Sequence, residues 1–338
     1  MIQLFKLDAN SITPLYQQIK ACILVAIQSD KVKIDDRLPS IHKMCKEFNL
    51  SPGTVAKAYE ELRQSGIIAS KQGKGFSIAS INSKSTLNVF LLFDRLNSYK
   101  ELLYNSLTEN LGPSVIVDVY FHHYDLKRFE HLISENLGNY NYYVIMPHFN
   151  KDVSEIVKKI PTEKLVIIDK TLDKLEGEYI SVCQNFHDDI LNSLTSGLEL
   201  FKKYKTVNFI ASGNNKFQFV PDGCLSGFKE FCTQNSIKYK IINSLTPKII
   251  NENEAYLVFA ESDLILLLKE AKIRNLKLGD NLGIITYDDT PVKEVLANGI
   301  TTISTDFYQM GKFAAECILN NKKEKVYNPF YLIRRNSL

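Results

Sequence analysis

Apolar residues recur at helical spacing three times near the start of the chain. Leu15, Ile19 and Ile23 are four positions apart, which predicts an amphipathic helix over residues 14–28. Ser40 and Ser51 each precede a further apolar stripe, where a serine hydroxyl can accept from the free N–H groups of a helix start. The stripes are Ile41, Met44, Cys45 and Phe48 in one helix, and Val55, Ala58, Tyr59 and Leu62 in the next.

Two short apolar runs follow these helices, at residues 67–69 and 76–78. They predict the strands of a hairpin, and the basic, glycine-rich residues 71–75 between them predict its tip, a wing. Only Asn49 and Leu50 separate the second and third helices, and this is the tight turn of a helix-turn-helix. We therefore expect a winged helix-turn-helix domain over residues 1–79.

The segment from Leu38 to Phe76, LPSIHKMCKEFNLSPGTVAKAYEELRQSGIIASKQGKGF, resembles the DNA-binding domain of GntR-type bacterial regulators. The third predicted helix is the second helix of this helix-turn-helix motif, and it would enter the major groove with its N-terminal residues near base edges. The start of the preceding helix and the wing would contact phosphate. The residues expected to contact double-stranded DNA are Ser40, His42, Lys43, Ser51, Gly53, Thr54, Lys57, Lys71, Gln72, Gly73 and Lys74.

Charge is concentrated in the same region. Residues 1–80 contain eleven Lys and Arg against seven Asp and Glu, whereas the remainder has thirty against thirty-one. Neutralisation of phosphates by such a basic domain supplies affinity for nucleic acid. The alternative reading is a solvated basic face, or a winged helix used for protein contact.

Beyond a polar, aperiodic linker at residues 80–86, apolar runs alternate with helical stretches. The predicted strands are 87–93, 115–121, 142–146, 165–168, 207–211, 239–242, 255–259 and 282–287. The predicted helices are 102–111, 128–137, 153–159, 188–204, 222–235 and 264–274. The alternation predicts an α/β domain over residues 87–338, built as two doubly wound lobes with ligand at the carboxyl ends of the strands.

Several short motifs in this region resemble the sensor domain of LacI/GalR-type regulators. They are LGIITYDDT from Leu282, ITTI from Ile300, Met310-Gly311-Lys312, LIRRNS from Leu332, KLVIID from Lys164 and Gly227-Phe228. The resemblance implies a two-lobed fold of the type I periplasmic-binding-protein kind that binds a small molecule between its lobes. Together with the GntR-type domain it resembles the arabinose-repressor type of architecture.

Polar residues just after the predicted strands are the candidate ligand contacts. Carboxylates and amides pair with hydroxyl groups, arginine gives charge-assisted bonds, and aromatic rings stack on a sugar face. The candidates are Asp94, Arg95, Asn97, His148, Phe149, Asp169, Gln184, Asn185, Phe219, Asp222, Glu261, Asp263, Asp288 and Asp306. The alternative is that several of them cap helices or pair locally.

Composition limits the other kinds of site and protein that the sequence could encode. The six cysteines form no CxxC pair and have no histidine at metal-ligand spacing, so we expect reduced, mostly buried thiols and no metal site. We expect neither a set of catalytic residues nor a bound cofactor. The chain has no run of eighteen apolar residues and no signal-like start, so we expect a cytoplasmic protein without membrane attachment.

The sequence thus predicts a homodimeric, ligand-responsive repressor of carbohydrate-utilisation genes on a palindromic DNA operator. The expected effector is a sugar or sugar phosphate. One alternative is a regulator that senses an amino acid or nucleoside in the same cleft. Another is a DNA-linked metabolic enzyme that acts on a sugar phosphate.

Overall fold

The structure is a computed structural model that describes residues 1–11, 13–29, 31–64, 66–71, 75–79, 87–211 and 220–338. The expected linker, the wing residues Gln72, Gly73 and Lys74, and Phe219 lie outside the described residues. The chain forms two compact units. One contains Met1–Phe90, Ser114–Asp118 and His131–Tyr142, and the other contains Leu91–Pro113, Val119–Glu130 and Tyr143–Leu338.

The N-terminal elements, which we call the head, are three helices and a two-stranded antiparallel hairpin. They are α1 (Leu15–Gln28), α2 (Ile41–Phe48), α3 (Pro52–Gln64), β1 (Ile68–Lys71) and β2 (Gly75–Ile78). Residues of the predicted apolar stripes, including Ile19, Met44 and Tyr59, form its core. Asn49 ends α2 in the left-handed conformation, with φ +53°. The winged helix-turn-helix prediction is confirmed.

The rest of the chain alternates strands with helices. The first half contains β3 (Leu87–Phe93), α4 (Ser98–Leu111), β4 (Val115–Phe121), α5 (Leu126–Asn136), β5 (Tyr142–Ile145), α6 (Ser154–Val157), β6 (Leu165–Asp169) and β7 (Ile180–Cys183). The second half contains α7 (Phe186–Ser196), α8 (Leu198–Phe201), β8 (Thr206–Ile210), α9 (Asp222–Gln234), β9 (Tyr239–Ile242), β10 (Glu254–Val258), α10 (Glu261–Ile273), β11 (Leu282–Tyr287), α11 (Pro291–Val295) and β12 (Thr301–Thr305). The chain closes with α12 (Phe307–Leu319), β13 (Lys325–Tyr327) and β14 (Phe330–Ile333).

These strands form two six-stranded sheets, one in each lobe. The first-lobe order is β13-β7-β6-β5-β3-β4, and the second-lobe order is β14-β12-β11-β10-β8-β9. The pairs β5–β6, β6–β7, β8–β10 and β10–β11 are parallel, and β14 runs antiparallel to β12. The chain passes between the sheets after β7, after β12 and between β13 and β14. This is the predicted pair of doubly wound α/β lobes.

One asparagine ties the three connections between the lobes together. The backbone N–H of Asn328, in the third connection, donates to the carbonyl of Cys183 at the first, at 2.8 Å. Its side-chain amide donates to the hydroxyl of Thr305 and to the carbonyl of Asp306 at the second, each at 2.8 Å. Asn328 is buried, so this hub forms a hydrogen-bonded hinge.

The predicted helix over residues 188–204 is wrong in one respect, because it is two helices, α7 and α8, that meet at Gly197. A Cβ on Gly197 would lie 2.4 Å from the side chain of Leu332 on β14. Gly197 therefore permits a close contact with a strand that is distant in the sequence. Gly227 has a similar role on α9, where a Cβ would lie 2.3 Å from the carbonyl of His187 on α7.

Candidate functional site

The exposed start of α3 carries the polar residues expected at base edges. Ser51 caps the helix, since its hydroxyl accepts from the N–H of Thr54 at 3.2 Å and lies 2.8 Å from the Thr54 hydroxyl. Gly53 is exposed and open space surrounds it. Lys57 is also exposed, with Nζ 3.9 Å from the ring centroid of Tyr16. This first turn has space and hydrogen-bonding groups for an approaching duplex.

The start of α2 presents a second exposed polar surface. The Ser40 hydroxyl accepts from the N–H of Lys43 at 3.2 Å, and Ser40, His42 and Lys43 are all exposed. Free N–H groups at a helix start, together with a nearby lysine, suit a phosphate. Lys71 ends β1 and pairs with Gly75 across the hairpin, at the base of the wing.

A second candidate site is a cavity of about 240 Å³ at the carboxyl ends of β3, β10 and β11. Its lining is Arg95, Leu96, Asn97, Ser98, Tyr99, Phe259, Ala260, Glu261, Ser262, Tyr287, Asp288, Thr290 and Lys293. Two stacked aromatic pairs contribute residues to this lining. Tyr99 stacks on Phe307 with centroids 4.5 Å apart, and Phe259 stacks on Tyr287 at 4.9 Å. Rings among polar groups suit a small hydroxylated molecule.

A chain of buried polar side chains lies beside this cavity, and we call it the polar relay: Lys100, Asp94, His148, Asp169, Gln184 and Tyr287. Lys100 forms an ion pair with Asp94, and both side chains are fully buried. The other carboxylate oxygen of Asp94 lies 3.1 Å from Nδ1 of His148. On the far side of the ring, Nε2 lies 2.5 Å from Oδ2 of Asp169.

The relay continues into the second lobe. The side-chain amide of Gln184, which follows β7, donates to Oδ1 of Asp169. The hydroxyl of Tyr287, at the end of β11, donates to Oε1 of Gln184 at 2.7 Å. Because Tyr287 also lines the cavity, one hydrogen bond connects the ligand site to the buried network of the first lobe.

Electrostatics set the charge states within the relay. Burial alone would raise the pKa of Asp94, but the hydrogen bond and charge of His148 and the charge of Lys100 hold it well below its usual value. Burial would lower the pKa of His148, yet the hydrogen bonds to Asp169 and Asp94 outweigh it and raise the pKa. The two carboxylates therefore favour the imidazolium form of His148.

Asp288 behaves differently from the relay carboxylates. Its Oδ1 is buried and accepts no hydrogen bond from the part of the chain that the structure describes. Burial, with the negative charge of Asp169 adding to it, raises the pKa of Asp288 to about 7 despite the opposing charge of Lys293. Lys293 itself donates to the backbone carbonyls of Tyr287 at 2.9 Å and of Asp288 at 2.5 Å.

Comparison with known proteins assigns the head to a family. The family model described as "Bacterial regulatory proteins, gntR family" matches residues 15–78. The head is a GntR-family helix-turn-helix domain. Over 84 residues it is 36% identical to the HTH-type transcriptional repressor YtrA of Bacillus subtilis (strain 168), covering 25% of this chain and 64% of that one.

A further relative of the GntR head is the arabinose metabolism transcriptional repressor of Geobacillus stearothermophilus. It is 33% identical over 75 residues, which is 22% of this chain and 21% of that protein. The chain thus matches less than two thirds of the length of either relative, and the similarity concerns the head.

The two-lobed region has the fold of LacI-family regulators. A LacI family transcriptional regulator from Lactobacillus casei, solved with bound glucose, aligns with a TM-score of 0.60 and 14% identity. The alignment covers 75% of this chain and all of that one. The trehalose repressor from Escherichia coli gives a TM-score of 0.60 and 13% identity over 74% of this chain and all of that one. No helix in the described ranges is long and apolar enough to cross a bilayer.

The structure sorts the predicted ligand residues of this GntR-headed chain into groups. Arg95, Asn97, Glu261 and Asp288 line the cavity. Asp94, His148, Asp169 and Gln184 belong to the polar relay. Asn97 also caps α4, because its Oδ1 accepts from the N–H of Lys100 at 3.2 Å.

The other predicted ligand residues lie elsewhere. Phe149 is buried and stacks on His122 at 4.5 Å, and Asp306 caps α12 and lines a separate groove of about 300 Å³. Asn185 donates to Asp188 at 2.7 Å. Asp222 is exposed at the start of α9, and Asp263 is half-buried on α10.

Sequence reasoning missed Tyr99, Lys100, Tyr287 and Lys293 as site residues. Tyr287 ends an apolar run and looked like part of a buried strand, although it lines the cavity and its hydroxyl donates to Gln184. Lys100 and Lys293 are lysines in predicted helical or loop positions, where solvent exposure is the ordinary expectation. Their burial depends on tertiary partners that local sequence does not show.

Proposed function

We propose that this protein is a transcription regulator whose GntR head binds an operator and whose two-lobed region binds a small hydroxylated effector, a sugar. Residues 1–79 form the DNA-binding domain, and residues 87–338 the sensor. The observation that carries the proposal is a cavity with aromatic walls and polar groups at the strand ends of both sheets, in the same chain as the head.

The relatives support a repressor of carbohydrate-utilisation genes. Two proteins with similar heads are repressors, one of them of arabinose metabolism, and the Lactobacillus casei regulator of the same fold was solved with glucose. We propose that this chain acts in the cytoplasm as a homodimer on a palindromic operator, since a two-fold dimer presents two heads to two half-sites.

The polar relay would distinguish two states of the sensor, one in which the hydrogen bond from Tyr287 to Gln184 is made and one in which it is broken. Separation of the lobes would break the hydrogen bond from Tyr287 to Gln184, whereas a ligand seated against Tyr287 favours the state in which this bond is made. A ligand shifts such an equilibrium only by its difference in affinity for the two states. The Asn328 hinge would confine the movement to rotation about the three connections.

A thermal-shift and turnover experiment tests this function. The full-length protein is heated with monosaccharides, sugar phosphates, amino acids and nucleosides, because a ligand that binds only the folded state raises the melting temperature. We expect saturable stabilisation by a sugar without its consumption. Stabilisation only by amino acids or nucleosides would favour the alternative effector class, and turnover of a sugar phosphate would favour the enzyme.

A further inference from the structure

Positively charged groups around the cavity are each engaged by the protein. Lys100 pairs with Asp94, and Lys293 donates to two backbone carbonyls. Arg95 is hydrogen-bonded to Tyr124. His148, the remaining basic group, lies between two carboxylates. A ligand anion such as a phosphate would have to displace one of these internal contacts.

Two buried carboxyl oxygens, in contrast, accept no hydrogen bond from the described residues. The buried Oδ1 of Asp288 accepts no hydrogen bond from the described residues, and Asp288 is one of the residues that line the cavity. The buried Oδ2 of Asp189, in the first turn of α7, likewise lacks a partner within those ranges. Glu261 adds an exposed carboxylate to the cavity lining.

Asp189 and Asp288 also share one electrostatic neighbour, Asp169. Burial raises the pKa of both Asp189 and Asp288 to about 7, and the negative charge of Asp169 contributes to each. Like charges that share a poorly solvated site hinder one another's ionisation. Within the described residues, the buried oxygens Oδ1 of Asp288 and Oδ2 of Asp189 thus lack a hydrogen-bond donor.

We propose that the effector of this regulator is a hydroxylated molecule that carries a protonated amino group, an amino sugar being the simplest example, and that this group binds Asp288. This inference rests on the proposed function and names the chemical class of its ligand. An ammonium group offers three donors and one positive charge. It would satisfy Oδ1 and compensate the charge of Asp288 at the same time.

The cavity wall supports the same choice. Tyr287 and Phe259 line the same cavity as Asp288, and a cation gains stabilisation on the face of an aromatic ring. A neutral hydroxyl can donate to Oδ1, but it adds no positive charge beside the carboxylate. Hydrogen bonds to charged groups exceed neutral ones by about 1 kcal/mol, which corresponds to a preference of roughly fivefold.

The test is isothermal titration calorimetry of the full-length protein with matched pairs of sugars at neutral pH. The pairs are D-glucosamine and D-glucose, D-galactosamine and D-galactose, and D-mannosamine and D-mannose, with the N-acetylated forms as neutral controls of similar shape. We expect at least one amine to bind roughly fivefold more tightly than its neutral partner and its N-acetylated form.

Two variants assign the preference to its residue. Asp288→Asn should abolish the preference for the amine while the neutral sugar still binds. Asp280→Asn is the matched control, because it removes the same charge from an exposed position outside the cavity lining and should keep the preference.

The outcomes separate this inference from the function on which it rests. Equal binding of neutral and aminated sugars, or a preference that survives Asp288→Asn, overturns the inference and leaves the sugar sensor standing. If no sugar of the panel binds, the inference and the proposed sugar effector both fail.

Discussion

Replacement of Asp288 by asparagine should change how the stability of the ligand-free protein depends on pH. The pKa of Asp288 is about 7 in the folded protein, against an ordinary value of 3.8 that the unfolded chain retains. Between these values the folded state holds a proton that the unfolded chain releases. The free energy of unfolding therefore falls as pH rises through this window and stays low above the folded pKa.

The size of this loss follows from the two pKa values. Each pH unit between them contributes about 1.4 kcal/mol, so the upper limit for full ionisation of Asp288 is about 4 kcal/mol. Asparagine has nearly the same shape and carries no charge, so the variant should lack this component. We expect wild type and Asp288→Asn to unfold alike near about pH 4, and the variant to be more stable near about pH 8.

Chemical denaturation at a series of pH values measures the difference directly. Asp280→Asn, which changes an exposed carboxylate, serves as the control and should follow the wild-type curve. If Asp288→Asn and wild type instead lose stability in parallel between acidic and alkaline pH, then Asp288 ionises freely in the folded protein and the electrostatic reasoning is wrong.

Three other substitutions test the head, the relay and the hinge. Lys57→Ala should weaken operator binding and reduce the slope of log affinity against log salt concentration by about one. Lys229 is an exposed lysine on α9, and Lys229→Ala should change neither the affinity nor the slope. Fluorescence anisotropy in a salt series measures both quantities. Tyr287→Phe removes the hydrogen bond to Gln184 and should weaken effector binding by about 1 kcal/mol in calorimetry. Asn328→Ala removes two buried side-chain hydrogen bonds and should lower the free energy of unfolding by about 1–3 kcal/mol in denaturant titration.

Each of these expectations has a contrary result. An equal loss of DNA affinity in Lys57→Ala and Lys229→Ala would show a general charge effect and no contact by α3. Unchanged effector affinity in Tyr287→Phe would separate the relay from the ligand site. Wild-type stability in Asn328→Ala would mean that the hinge hydrogen bonds are replaced by water without loss.

The architecture was largely predictable from sequence because local signals fix it. Serine caps at Ser40 and Ser51 and the left-handed Asn49 set the helix ends of the head, and they depend on residues only a few positions away. Apolar runs located β3, β4, β9 and β11 to the residue. The close packing of Gly197 against Leu332, which leaves no room for a Cβ, was not predictable because Leu332 lies far away in the chain.

The site was less predictable, because the direction of a side chain decides its role. Residues that follow adjacent strands are brought together, as expected. Asp94 and Asp169, however, are hydrogen-bonded within the polar relay, whereas Asp288 lines the cavity. Asp306 uses its carboxylate to cap α12. Burial of Lys100 follows from its ion pair, and no periodicity in the sequence marks a buried lysine.

Coupling between the cavity and the head is the central expectation for this protein. A duplex selected from a random pool by the full-length protein, followed by anisotropy with and without the sugar that stabilises the protein, measures this coupling directly. We expect the sugar to change the affinity for the duplex at least severalfold, and Asp288→Asn to diminish the response without loss of binding by the ligand-free protein. Identical affinity at saturating and zero sugar would contradict the proposed regulator.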